Sequence, residues 1–171
     1  MRLELLQSCW EHDRQLEGWA SVVRQLGPPE YDPLSEGSSD GLVTRIGRVH
    51  GMTLFYTTSL VLYSILQMAA GPQESLPERV DPLHYATRLA QAIRILLEPS
   101  AGLYGTQSAA QPLEVASRYT AVLSSLSSDD SGSLLESLSE MRKEVKWVRD
   151  KRKPCELQMF TAGTGNTWGT F

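Results

Sequence analysis

The most apolar run of the chain extends from Met52 to Ala70 (MTLFYTTSLVLYSILQMAA), carries no charged residue and is fenced by Gly51 and Gly71. Leu54, Phe55, Leu62, Leu66 and Ala69 fall on one face at helical spacing, while Val61, Ile65 and Met68 widen the apolar surface around the cylinder. A helix apolar on most sides belongs at the centre of a fold. Asp40 can cap a lead-in through Leu42, Val43, Ile46 and Val49, which gives an element over about 42–70. Gly47 and Gly51 weaken that lead-in by about 1 kcal/mol each relative to alanine, so a kink or a separate short helix is an alternative there.

The other periodic stretches are amphipathic. Leu3, Leu6, Trp10, Leu16, Trp19, Val23 and Leu26 recur at helical spacing before the stop Gly27-Pro28-Pro29, which predicts a helix from about Leu3 to Leu26 and a loop over 27–41. A polar linker covers 71–81. Asp81-Pro82 then restarts the chain, because aspartate accepts orphan backbone donors and proline fits the first helical position. Leu83, Ala86, Leu89, Ala90, Ile93, Leu96 and Leu97 follow on one face, and Pro99 forbids continuation. Gly102 and Gly105 make a tight connection. Pro112 either kinks a helix begun near Thr106 or opens one through Val115, Ala116, Tyr119 and Val122. After a serine-rich loop over 127–133, Leu134, Leu138, Met141, Val145 and Val148 form a narrow apolar seam on a charged helix. Residues 154–171 read as a glycine-rich tail.

The pattern therefore predicts an all-α, single-domain helical array around a central apolar helix, with residues 1–153 in the domain. The length of 171 residues suits one core. A single-pass membrane protein anchored by 52–70 is the competing reading, since roughly 17–25 apolar residues can cross a bilayer. Thr53, Thr57, Thr58, Ser59, Ser64 and Gln67 argue for protein surroundings, where hydroxyls bond backbone carbonyls.

Charge changes the picture only near the C-terminal end. Seven basic residues against Glu144 and Asp150 give the stretch Arg142–Lys153 a local charge of +5 in a chain of net charge −4. Glu140 and Glu144 supply i to i+4 partners, which suits a solvated helix face. The sharper reading is a nuclear-import or anion-binding patch of Lys146, Arg149, Lys151, Arg152 and Lys153.

Catalytic chemistry finds little footing. Cys9 and Cys155 are too few for a disulfide framework or a zinc site and suit a reducing, intracellular setting. His12, His50 and His84 are widely separated and form no HExxH pair. There is no GxSxG elbow and no phosphate loop. Gly163, Gly165 and Gly169 lack the strand and helix that a dinucleotide loop needs. Asp129-Asp130 has no further carboxylate at the i+3 or i+4 spacing from Asp129. No cofactor, no metal and no enzymatic activity are expected, and no targeting segment is visible.

Three segments carry a family likeness: LLQSCWEHDRQLEGWASVV, with Leu16 and Trp19 in an LxxW turn; the long apolar helix MTLFYTTSLVLYSILQ; and ATRLAQAIRILLEPSAGLYGTQSAAQPLEVASRY. The last, with Gly105, Gln107, Pro112, Leu113, Val115 and Ala116, is the most specific. Together they resemble the C-terminal part of the helical regulatory region of fungal zinc-cluster transcription factors. The resemblance implies a transcription-regulator-like protein acting in the nucleus through protein contacts, either with a partner or as a homo-oligomer. Two cysteines cannot build the six-cysteine cluster with which that family reads DNA, so no direct nucleic-acid binding is expected. Leu138, Met141, Val145 and Val148 are the expected partner seam.

Overall fold

The computed structural model describes residues 2–25, 42–71, 74, 76–126 and 131–163, with 151–163 given by backbone alone. Among these residues the elements are α1 (Arg2–Gln25), α2 (Leu42–Ala70), α3 (Pro82–Leu96), α4 (Gly102–Leu126) and α5 (Ser131–Gly163), with 3-10 turns at Glu78–Val80 and Pro99–Ala101. The all-α architecture is the one the periodicity predicts. α2 packs against α1, α3 and α4, while α5 lies on α4 and reaches α3.

α2 runs unbroken through Gly47 and Gly51. Three neighbouring helices hold its backbone, and their packing outweighs the glycine penalties. Leu60 and Leu66 are fully buried along it, with Met52, Phe55, Tyr56 and Tyr63 beside them. Thr53, Thr57 and Thr58 donate their hydroxyls to the carbonyls of Val49, Thr53 and Leu54 at 2.7, 2.7 and 2.9 Å. The span Ile46–Ala70 is long and apolar enough to cross a membrane, and 56% of its most apolar window is buried within the protein, as in a core helix.

The C-terminus of α2 is closed from two sides. Gly71 adopts φ +81° and donates its N–H to the Gln67 carbonyl at 3.0 Å, a left-handed cap that glycine adopts without steric cost. The Arg2 guanidinium, from the start of α1, donates to the Ala69 carbonyl at 2.7 Å and also to that of Ala70. A cation at a helix C-terminus is favourable, and this one fixes α1 antiparallel to α2.

Asp81 caps α3, its carboxylate accepting from the Leu83 N–H at 3.0 Å, with Pro82 in the first turn. Ala86, Leu89, Ala92, Ile93 and Leu96 face the core. Past Pro99 the chain turns so tightly that a Cβ on Gly105 would stand 2.1 Å from the Leu96 carbonyl oxygen. α4 therefore starts at Gly102 and incorporates Pro112 as an interior residue, the first of the two arrangements the sequence left open but begun earlier.

On α5, Leu138 and Met141 are buried, and Leu134 and Val145 pack against the same core. Arg142 pairs with Glu114 of α4, and Arg94 of α3 donates to the Ser137 hydroxyl at 2.9 Å. α5 begins inside the expected 127–133 loop and continues past Lys153 to Gly163, into the segment expected as tail. The loop over 27–41, Asp129-Asp130 and residues 164–171 lie outside the described residues.

Candidate functional site

The most fully built polar cluster joins α1, α2 and the segment before α3. Asp13 projects from the inner face of α1, with only 2% of its surface exposed. Its carboxylate accepts two bonds from the Arg79 guanidinium, at 2.8 and 2.7 Å, and one from the Tyr63 hydroxyl at 2.9 Å. Glu17 stands 3.3 Å from the same guanidinium. The Tyr85 hydroxyl donates to the Arg79 carbonyl at 3.0 Å, and the Tyr63 and Tyr85 rings lie 4.9 Å apart.

The electrostatics of this cluster are those of a fastener. Burial by itself would push the Asp13 carboxyl up, but the hydrogen bonds from Arg79 and Tyr63 and the Arg79 charge outweigh it and hold the group below its usual value. Burial and the bond to Asp13 push Tyr63 up, and burial raises Tyr85. A general base needs a carboxylate lone pair open to substrate and a pKa moved towards neutrality; Asp13 has neither. Sequence inspection missed the cluster because Asp13 and Arg79 lie on separate elements and form no local motif.

The histidines stay apart. His12 is exposed on α1, with Nδ1 2.8 Å from the Ser8 carbonyl. The His50 ring lies 5.8 Å from that of Tyr104 at a tilt of 44°, and His84 is exposed on α3 beside Tyr85. Among the described residues no group of three or more His, Cys, Asp or Glu could hold a metal ion. Cys9 is buried as a free thiol, pushed up by burial.

Among the described residues a concavity of about 470 Å³ lies between α4 and α5, lined by Leu113, Glu114, Arg142 and Lys146, and two others are larger. One of about 540 Å³ lies beyond the end of α2, between apolar Met68, Leu76 and Val80 and acidic Glu74, Glu78 and Asp81. Asp81 is occupied as the α3 cap, and Glu74 stands 3.8 Å from Arg2. The other, about 890 Å³, is an open groove between the end of α3 and α5. Glu140 on its wall is already paired with Lys143 at 2.7 Å.

The sequence-expected seam is turned inward. Leu138 is 1% and Met141 6% exposed, Val145 packs on the same core, and Val148 is half-buried. These residues hold α5 to its own chain, so the open apolar surface lies elsewhere. Of the basic patch, Lys146 is exposed on α5. The side chains of Arg149, Lys151, Arg152 and Lys153 lie outside the described residues.

Among the described residues exposed apolar side chains occur on α4 and α5 (Leu103, Tyr104, Val122 and Trp147), and on α1 and α2 they fall at helical spacing. Leu5, Ser8, His12, Gln15, Trp19 and Val22 step by three and four along α1, and all are exposed. Gly47, Gly51, Leu54, Thr58, Val61, Ile65 and Met68 do the same along α2, each exposed or half-buried. Neither strip contains a charged residue. The Trp19 ring meets Phe55 edge-on at 6.0 Å, next to Leu54, and joins the two strips into one face. Polar side chains on it are partly satisfied within their own helices: Thr58 bonds the Leu54 carbonyl, and the His12 ring faces that of Ser8.

Compared with protein-family models, with curated proteins and with solved structures, the chain matches none of them.

Proposed function

We propose that this chain is a protein-contact module of the transcription-regulatory kind, acting through the uncharged face of α1 and α2 rather than through bound chemistry. The observation that carries the reading is that α2, the most apolar helix, is packed by three neighbours and yet leaves a strip with Leu54 41% and Met68 48% exposed. Contiguous exposed apolar surface marks interaction sites in soluble proteins, and helical spacing suits an amphipathic helix or helix pair as occupant. The regulatory setting and the nucleus as place of action rest on the family resemblance of the three segments. DNA recognition would be supplied by another polypeptide segment, since these 171 residues hold two cysteines.

Fusing the chain to a heterologous DNA-binding module and reading a reporter tests this. The expected result is a change in reporter output that Leu54→Glu reduces while circular dichroism shows unchanged helix content. A folded fusion without effect would overturn the regulatory reading. Detergent-free fractionation decides the membrane alternative, because a membrane anchor would partition entirely with lipid.

A further inference from the structure

We infer that the occupant of the α1 and α2 face is a second copy of this chain, docked antiparallel about a two-fold axis that passes close to Thr58. The inference rests on the protein-contact reading and adds to it the identity of the partner.

Side-chain size along the α2 strip is graded. It begins with Gly47 and Gly51 and ends with Ile65 and Met68. A parallel pairing would set glycine against glycine and methionine against methionine, leaving a gap at one end and crowding at the other. An antiparallel pairing centred on Thr58 sets Gly47 opposite Met68, Gly51 opposite Ile65 and Leu54 opposite Val61. Each small residue then receives a large one, the interdigitation that close packing requires. Gly47 has room for this, as nothing lies within 4 Å of where its Cβ would be.

Charge permits the same arrangement. A two-fold contact turns the same face onto itself, so a face carrying charge of one sign would repel its copy. The two strips hold no charged residue, and Glu4 and Glu11 stand exposed along the α1 edge. Trp19, about one turn from the level of the axis, adds a large aromatic near the centre, where binding energy concentrates.

The dimensions suit a stable pair. The α1 strip spans about 26 Å at 1.5 Å per residue, and two helices side by side are about 20 Å wide. The projected area of about 500 Å² per copy corresponds, on a corrugated surface, to an accessible area of the order of the roughly 800 Å² per partner that specific interfaces bury.

Sedimentation equilibrium of the full chain between about 1 and 100 μM, with Thr58→Cys cross-linking in a Cys155→Ser background, tests the proposal. The expected results are a dimer of the 19.0 kDa chain, dissociation constants raised at least tenfold by Leu54→Glu at unchanged helix content, and oxidative cross-links at Thr58→Cys but not at a Thr44→Cys control. A chain that stays monomeric throughout, or a dimer indifferent to Leu54→Glu and cross-linked equally at both positions, overturns the assignment. A monomer whose reporter output still falls with Leu54→Glu would overturn the second copy while leaving the protein-contact reading intact.

Discussion

Asp13 of α1 and Arg79, which precedes α3, face each other fork to fork, with both carboxylate oxygens engaged at 2.8 and 2.7 Å. The carboxylate is almost wholly buried, whereas 46% of the guanidinium side chain is exposed. That asymmetry decides which half matters more. Removing Arg79 strands a desolvated anion with one hydroxyl donor; removing Asp13 leaves a cation that can turn to water. Breaking a fully buried pair costs about 3–5 kcal/mol, and the exposure of Arg79 reduces this to about 2–3 kcal/mol. Arg79→Ala is therefore expected to lower the melting temperature by about 5–10 °C, and Asp13→Asn by less. Thermal melts of the two variants check the order; equal losses would contradict it.

The same pair sets the response to acid. The folded carboxyl of Asp13 is held below its usual value, so its contribution is present above the unfolded pKa of about 3.9 and disappears as the pH falls through the lower folded value. In Arg79→Ala, burial acts without the cation and raises the folded pKa, which reverses the sign: stability then increases as the pH falls from 7 towards 4. At the alkaline end, Tyr63 and Tyr85 resist ionisation in the fold, so stability declines above about pH 10, where the unfolded chain ionises freely. Urea midpoints across pH 3–11 should show the opposite acid slopes.

Two glycines are predicted to respond oppositely to alanine. At Gly105 the added Cβ would stand 2.1 Å from the Leu96 carbonyl oxygen and 2.6 Å from Ala101 Cβ. Backbone cannot yield as a flexible side chain can, so Gly105→Ala is expected to cost about 3 kcal/mol or more. Gly18, inside α1, has nothing within 4 Å of the same position. Gly18→Ala should gain up to about 1 kcal/mol from helix propensity. Chemical denaturation of both variants measures the difference, and a loss at Gly18 would show that its neighbourhood is tighter than described.

Local signals carried most of the fold. The Asp81-Pro82 start and the Pro99 stop of α3 were legible because capping and proline geometry act within a few residues. The hydroxyls of Thr53, Thr57 and Thr58 bond to carbonyls one turn back, as their composition suggested. What escaped was set by tertiary contact. The Asp13–Arg79 pair spans 66 positions, and no local pattern announces it. Gly47 and Gly51 suggested a break that three packed neighbours suppress. The seam of α5 was legible as apolar, but its spacing did not say whether its partner was another chain or α4. Conversely, the strip on α1 was hidden because Ser8, His12 and Gln15 dilute its hydrophobicity, and only their exposure beside the uncharged strip of α2 makes it a face.

The burial of that α5 seam changes what its mutation should do. On an open seam, glutamate at Met141 and Val145 would abolish association and spare the fold. With Met141 6% exposed against the core, Met141→Glu instead places a carboxylate where an apolar side chain is packed. Leu138→Ala, at 1% exposure, should remove about 3 kcal/mol through lost contact and a cavity. Urea unfolding followed by circular dichroism separates two ways this can appear. A lower midpoint with an unchanged slope would mean that α5 unfolds with the rest, whereas an early, shallow loss of helix would mean that it detaches first. A Met141→Glu, Val145→Glu double variant that kept the parent stability and altered only assembly would return the seam to the role of a partner surface. The Leu54→Glu change on α2 supplies the comparison: Leu54 is 41% exposed, and the change should weaken assembly while leaving the melt unchanged at concentrations where the parent chain is monomeric.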